Sequence, residues 1–121
     1  MLLCIIAHNN KEVKVERLYE REAEFFQALS HPIRLRLLGL LREGGRCACE
    51  LVPELEVDQS TVARHLLTLK RAGILRTSKD GVRVIYELAD ERVLKVLKLA
   101  SELIIDSTRV RLETLEAGRR S

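Results

Sequence analysis

Apolar residues recur three and four positions apart along most of the chain and give way once to short runs of strand formers. Over residues 13–29, Val15, Leu18, Tyr19, Ala23, Phe26 and Leu29 mark one face of an amphipathic helix, and Ser30-His31-Pro32 stops it. Ser30 or His31 then precedes a proline at a first helical position, and Ile33, Leu35, Leu37, Leu38 and Leu41 carry a second helix to Gly44-Gly45. Residues 47–55 predict a short third helix of about two turns, limited by Pro53. A fourth spans residues 57–73: Asp58 can cap it, Val62, Leu66 and Leu69 form a buried stripe, and Gly73 supplies the left-handed residue that ends it. Two runs rich in β-formers, 74–79 and 82–88, are joined by Asp80-Gly81, a tight-turn signal in which both central residues take positive φ. From residue 90 a long helix runs through Val93, Leu94, Val96, Leu97, Leu99, Ala100, Leu103 and Ile104 toward Leu115. Residues 1–12 turn from apolar to polar without a helical period and predict an N-terminal arm.

The expected fold is mainly α with a β-hairpin wing, in the order α-α-α-α-β-β-α: a winged helix-turn-helix filling residues 13–121 as a single domain. Aromatic residues are only 3% with no Trp, so Leu, Val and Ile must fill the core. The last helix is apolar on more than one side, which predicts that it packs both on its own domain and on a second copy, a homodimer. Residues 2–7 are too few to span a membrane and no basic segment precedes them, so no membrane association and a cytoplasmic location are expected. In that reducing compartment three cysteines are not a disulfide framework, which leaves metal binding, redox chemistry or core filling.

Net charge is only +3, but its location matters more than its sum. Between residues 58 and 89, Arg64, Lys70, Arg71, Arg76, Lys79 and Arg83 face only Asp58, Asp80 and Glu87. The fourth helix leaves Gln59, Ser60, Thr61, Arg64 and His65 outward at its front end. Short hydrogen-bonding side chains beside an arginine there suit entry into a DNA major groove, and Lys79 and Arg83 on the hairpin suit phosphate. The competing reading is a helical domain whose hairpin merely closes the core. No phosphate-cradling glycine loop or catalytic triad is present, so the chain is not expected to be an enzyme.

The segments Ala28-Leu29-Ser30-His31-Pro32-Ile33-Arg34-Leu35-Arg36-Leu37-Leu38, Cys47-Ala48-Cys49-Glu50-Leu51, Gln59-Ser60-Thr61-Val62-Ala63-Arg64-His65-Leu66 and Leu69-Lys70-Arg71-Ala72-Gly73-Ile74-Leu75, followed by the wing, resemble the ArsR/SmtB family of winged-helix transcriptional repressors. The resemblance spans residues 20–105 and implies a dimer that occupies double-stranded operator DNA without any cofactor and leaves it when a thiophilic metal or metalloid binds. Cys47-x-Cys49-Glu50-Leu51 is similar to the metal box of the family's arsenic, cadmium, lead and zinc sensors. Arsenic-sensing members carry a third cysteine three residues after the pair, where this chain has Val52. Members of the cadmium and lead type recruit ligands from an N-terminal arm, where this chain has Cys4 and His8. The family's other metal site, on the last helix, lacks its histidines here.

Cys47 and Cys49 are two apart, so on an ideal helix their side chains diverge by about 200° and cannot share an ion at a Zn–S distance of about 2.3 Å. A shared ion therefore needs the start of this helix to be frayed or distorted. Cys4, Cys47 and Cys49 would suit trigonal arsenite or antimonite, and His8 would complete a tetrahedral set for zinc or cadmium. Each residue has a plainer alternative. Cys4 can be an apolar filler and His8 a solvated histidine; His31 fits a capping role better than ligation; His65 fits a DNA contact. The same thiols could instead answer oxidants or persulfide, or the fold could regulate without any metal.

Overall fold

A computed structural model of the chain describes residues 15–120. The arm, with Cys4 and His8, lies outside the described residues. The chain divides into two compact units, one ending at Ala89 and one beginning at Asp90. In the first unit the elements are α1 (Val15–Leu29), α2 (Pro32–Leu40), β1 (Arg46–Cys47), α3 (Ala48–Leu55), α4 (Gln59–Arg71), β2 (Leu75–Asp80) and β3 (Arg83–Leu88); the second unit is α5 (Arg92–Arg120). The mainly α winged helix-turn-helix is as expected, except that a two-residue strand precedes α3.

Local chemistry sets the helix ends. His31 is the N-cap of α2, its Nδ1 accepting the Ile33 N–H at 3.1 Å, with Pro32 directly after it. Asp58 caps α4 by accepting the Thr61 N–H at 3.2 Å. At the other end of α4, Gly73 N–H donates to Lys70 C=O at 2.9 Å and Ile74 N–H to Leu69 C=O at 3.0 Å, with Gly73 at φ +78. This crossed pair is a Schellman motif, and it accounts for glycine at that position. Helix α3 ends at Leu55, two residues beyond Pro53, with Glu56 in the left-handed conformation at φ 54.

The core is aliphatic. Leu37, Leu38, Leu41, Leu51, Leu55, Val62, Leu66 and Leu69 are all but fully buried. At about 1.5–3 kcal/mol for each buried side chain, the stripe of α4 outweighs its caps in holding that helix on the domain. The stripe expected on α1 is different. Leu29 is buried, but Tyr19 and Phe26 are 58% and 55% exposed in the single chain.

Three strands form an antiparallel sheet in the order β1-β3-β2. Arg46 and Cys47 pair with Tyr86 and Ile85, and the hairpin runs from Leu75↔Leu88 to Asp80↔Arg83. The hairpin turn is therefore Gly81-Val82, one residue later than expected. Gly81 has φ +65 while Val82 has no positive φ, the pattern of a type II′ rather than a type I′ turn. Gly45 lets the chain approach β3 closely, since a Cβ there would lie 2.7 Å from Ile85 Cγ2.

In the second unit, the Asp90 carboxylate accepts the Arg92 N–H at 2.9 Å at the start of α5, and the Arg92 guanidinium holds it down to a pKa of about 2. Leu99, Leu103, Ile104, Ile105, Val110, Leu112 and Leu115 are 55–71% exposed along this helix. Among the described residues no helix is long and apolar enough to cross a membrane.

Candidate functional site

The front of α4 is organised around Asp58. Its carboxylate accepts the Thr61 N–H, the Thr61 hydroxyl at 2.5 Å and the Ser60 hydroxyl, and these bonds, Ser60 first, lower its pKa to about 2. Two of the side chains expected to read DNA are thus oriented before DNA arrives. Arg64 Nη2 donates to Thr61 Oγ1 at 3.4 Å, and Gln59 and Arg64 are exposed.

His65 turns toward α2. Its ring lies 4.2 Å from the ring of His31, and Arg34 Nη1 donates to its Nδ1 at 3.1 Å. Arg34 also donates to the carbonyls of Ala28 and Gln27 at 2.6 and 3.3 Å, so one guanidinium ties the end of α1 to the reading helix. Burial first, then His31, Arg34 and Arg64, push the His65 pKa down. An open depression of about 520 Å³ lies here, with Arg34, Thr61, Arg64 and His65 on its walls.

On the wing the basic residues differ sharply. Arg76 is neutralised by its cross-strand neighbour Glu87 at 2.8 Å, whereas Lys79 is exposed with no carboxylate on it among the described residues. Arg83, expected on phosphate, folds back onto α3. Its Nη2 lies 3.2 Å from Cys47 Sγ, 3.8 Å from Cys49 Sγ and 2.5 Å from Glu50 Oε1.

Cys47 and Cys49 meet. Cys47 is not on the helix: it is the last residue of β1 and the N-cap of α3, extended at φ −81 and ψ 160. The helical divergence therefore does not apply, the two Cα atoms are 5.2 Å apart, and the sulfurs are paired as a disulfide. Cys47 is buried and Cys49 exposed. Glu50 completes the cluster, since its carboxylate and the two sulfurs lie within 4.8 Å of one another. Its Oε1 also accepts the Cys47 N–H at 3.5 Å, and its Oε2 is 3.7 Å from Arg46 Nε. Arg46 in turn holds Glu54 at 3.0 Å, which raises its own pKa. Two thiolates and a carboxylate, once the disulfide is reduced, are a donor set that fits a soft cation or trivalent arsenic. The sequence places Glu50 in the metal box without marking it as a ligand, and gives Arg46 no function. The signal was there: Glu50 stands three residues after the cap, where a carboxylate reaches back to the cap N–H.

A recognition helix with a polar front, a basic wing and a supporting helix that opens on a thiol cluster define a winged-helix DNA-binding regulator. Residues 31–77 match the model of the bacterial regulatory protein family arsR. The chain is 43% identical over 86 residues to an uncharacterized HTH-type transcriptional regulator of Methanocaldococcus jannaschii, a match covering 70% of this chain and 97% of the relative. The protein belongs to the arsR family. It is also 35% identical over 79 residues to a cadmium resistance transcriptional regulatory protein CadC homolog of Staphylococcus aureus, covering 64% of this chain and 65% of that one. Among solved structures, a Mycobacterium tuberculosis protein superposes with a TM-score of 0.72 at 33% identity, covering 78% of this chain and 96% of that chain. A homodimeric winged helix-turn-helix DNA-binding domain from Mycobacterium bovis superposes with a TM-score of 0.67 at 26% identity, covering 75% and 83%.

Proposed function

We propose that this arsR-family regulator is a cytoplasmic homodimeric repressor that leaves its operator when a thiophilic metal or metalloid binds Cys47 and Cys49. The observation that carries the reading is the convergence of both sulfurs and the Glu50 carboxylate within 4.8 Å at the head of the helix preceding the reading helix. Arsenite, antimonite, cadmium, zinc and lead are the candidate effectors, with Cys4 and His8 of the arm as further ligands. Gln59, Ser60, Thr61, Arg64 and His65 read the operator, and Lys79 contacts phosphate.

The homodimer is supported by the exposed apolar residues of α1 and α5 and by the homodimeric Mycobacterium bovis neighbour. Cys47→Ser and Cys49→Ser should retain DNA binding and lose effector-driven release. Release of the double variant by arsenite or cadmium would remove the thiols from the mechanism.

A second reading is favoured by the disulfide itself. Two thiols can pass two electrons and their two protons to hydrogen peroxide, whose O–O bond breaks to give two waters as the Cys47–Cys49 bond closes, so that oxidation rather than metal is the signal. Thiol counting after peroxide treatment distinguishes the two.

A further inference from the structure

We propose that the Arg83 guanidinium is the resident cation of the Cys47–Cys49–Glu50 cluster, and that a soft metal ion entering the cluster displaces it and unfastens the wing from α3. The inference rests on reading the cluster as the effector site.

One nitrogen carries it. Arg83 Nη2 lies 3.2, 3.8 and 2.5 Å from the two sulfurs and the Glu50 oxygen, the same three groups that converge within 4.8 Å as a ligand set. A metal ion at about 2.3 Å from sulfur needs the lone pairs that this nitrogen faces, and its charge repels the guanidinium. Metal and Arg83 therefore compete for one place. The step is a ligand exchange: the two thiols give up their protons to water as metal–sulfur bonds form, and no electrons move. A disulfide offers no thiolate, so the pair must first take two electrons from a thiol or phosphine reductant.

The wing's attachment explains why this matters. Backbone pairing of β1 with β3 covers only Arg46↔Tyr86 and Cys47↔Ile85. Arg83 is the first residue of β3, beyond that pairing and next to the Gly81-Val82 turn, so its side chain ties the tip end of the wing to α3. Lys79 sits on this same end, paired with Val84. Arg46 remains as a partner for Glu50 and Glu54 and does not replace the tether. Without Arg83 in place, Lys79 reaches DNA from an unfastened strand, and DNA affinity falls.

Linkage makes this testable from both sides, because a competitor that metal must displace lowers metal affinity. The reduced full chain and Arg83→Gln are titrated with cadmium(II) without DNA, following the sulfur-to-cadmium absorption band. Each is then titrated onto a duplex selected by the wild-type protein, with and without cadmium. Removing one exposed positive charge from the site should tighten cadmium binding by about tenfold. Arg83→Gln should also bind DNA more weakly without metal and show little further loss with it, while Arg83→Lys restores part of the metal response. Unchanged or weaker cadmium binding by Arg83→Gln, or an undiminished cadmium effect on its DNA affinity, overturns the proposal while leaving the sensor reading intact. If the wild-type chain itself fails to bind cadmium, the proposal falls, and the sensor reading then rests on whether arsenite binds the same thiols. Circular dichroism of the variant guards against loss of fold, and in that case the Arg83 side-chain NMR signal of the wild-type chain decides: a shift on adding cadmium supports displacement, and none refutes it.

Discussion

The ring of His65 on the reading helix lies 4.2 Å from that of His31, the cap of α2, with the Arg34 guanidinium donating to its Nδ1 at 3.1 Å. Burial of the ring, and then the neighbouring charges of His31, Arg34 and Arg64, favour the neutral form, so the folded-state pKa lies below that of the unfolded chain. The unfolded state then binds more protons in the window just below the ordinary histidine value. Stability should be full above about pH 6.5 and decline as pH falls below it. Thermal melts between about pH 8 and pH 5 check this. The slope should shrink in His65→Gln, and an unchanged slope would assign it to other groups.

Asp58 acts in the same direction at lower pH. Its folded pKa of about 2 lies below the ordinary carboxylate value, so the stability from its cap is complete above about pH 4 and is lost as pH falls toward 2. Asp58→Ala should lower the melting temperature at neutral pH. It should also weaken specific DNA binding, because Ser60 and Thr61 lose the carboxylate that orients them. Asp58→Asn should retain much of the cap. Equal DNA affinity for Asp58→Ala and wild type would mean that the orientation of the two hydroxyls is unimportant.

Arg64 and Lys79 should separate base reading from charge. Arg64→Ala should lose more affinity for a selected operator than for random DNA, and an equal loss on both would make Arg64 a phosphate contact. Lys79→Ala should weaken both alike and reduce the slope of log affinity against log salt by about 0.9 for the one phosphate released. Arg76→Ala should change that slope less, since Glu87 already neutralises Arg76.

Gly45 tests the seam between β1 and the wing. A methyl group at this position meets Ile85 Cγ2 at 2.7 Å, and Ile85 is the register partner of Cys47. A branched side chain has little freedom to yield, so Gly45→Ala should cost about 1–3 kcal/mol in urea unfolding. A loss well below this range would show that the seam is loose.

The parts of this architecture that local chemistry specifies were legible in the chain. The Asp58 cap, the Gly73 terminus and the Val62, Leu66, Leu69 stripe place α4 within two residues of its observed ends. What escaped was non-local. Strand β1 has only two residues and exists because Arg46 and Cys47 meet Tyr86 and Ile85 about forty positions later, a pairing that no periodicity reveals. Counting Cys47 as helical made the thiols diverge, whereas its extended backbone brings them together. The charge of Arg83 alone points to phosphate, and nothing in sequence marks Glu50 as the partner that holds it in the DNA-free chain. The arm residues Cys4 and His8 lie outside the described structure and remain proposed ligands.

The Cys47 and Cys49 thiols at the head of α3 are proposed to control DNA binding by α4 and the wing. This control is tested most directly by titrating the reduced protein–operator complex with cadmium, arsenite and peroxide in separate experiments, reading DNA release by fluorescence anisotropy and free thiols in parallel. Release by a thiophilic ion is expected in step with loss of the Cys47 and Cys49 thiols, with DNA affinity falling by roughly 5–150-fold, the usual range of such couplings. Full occupancy of both thiols by metal or oxidant with no change in DNA affinity would contradict this control.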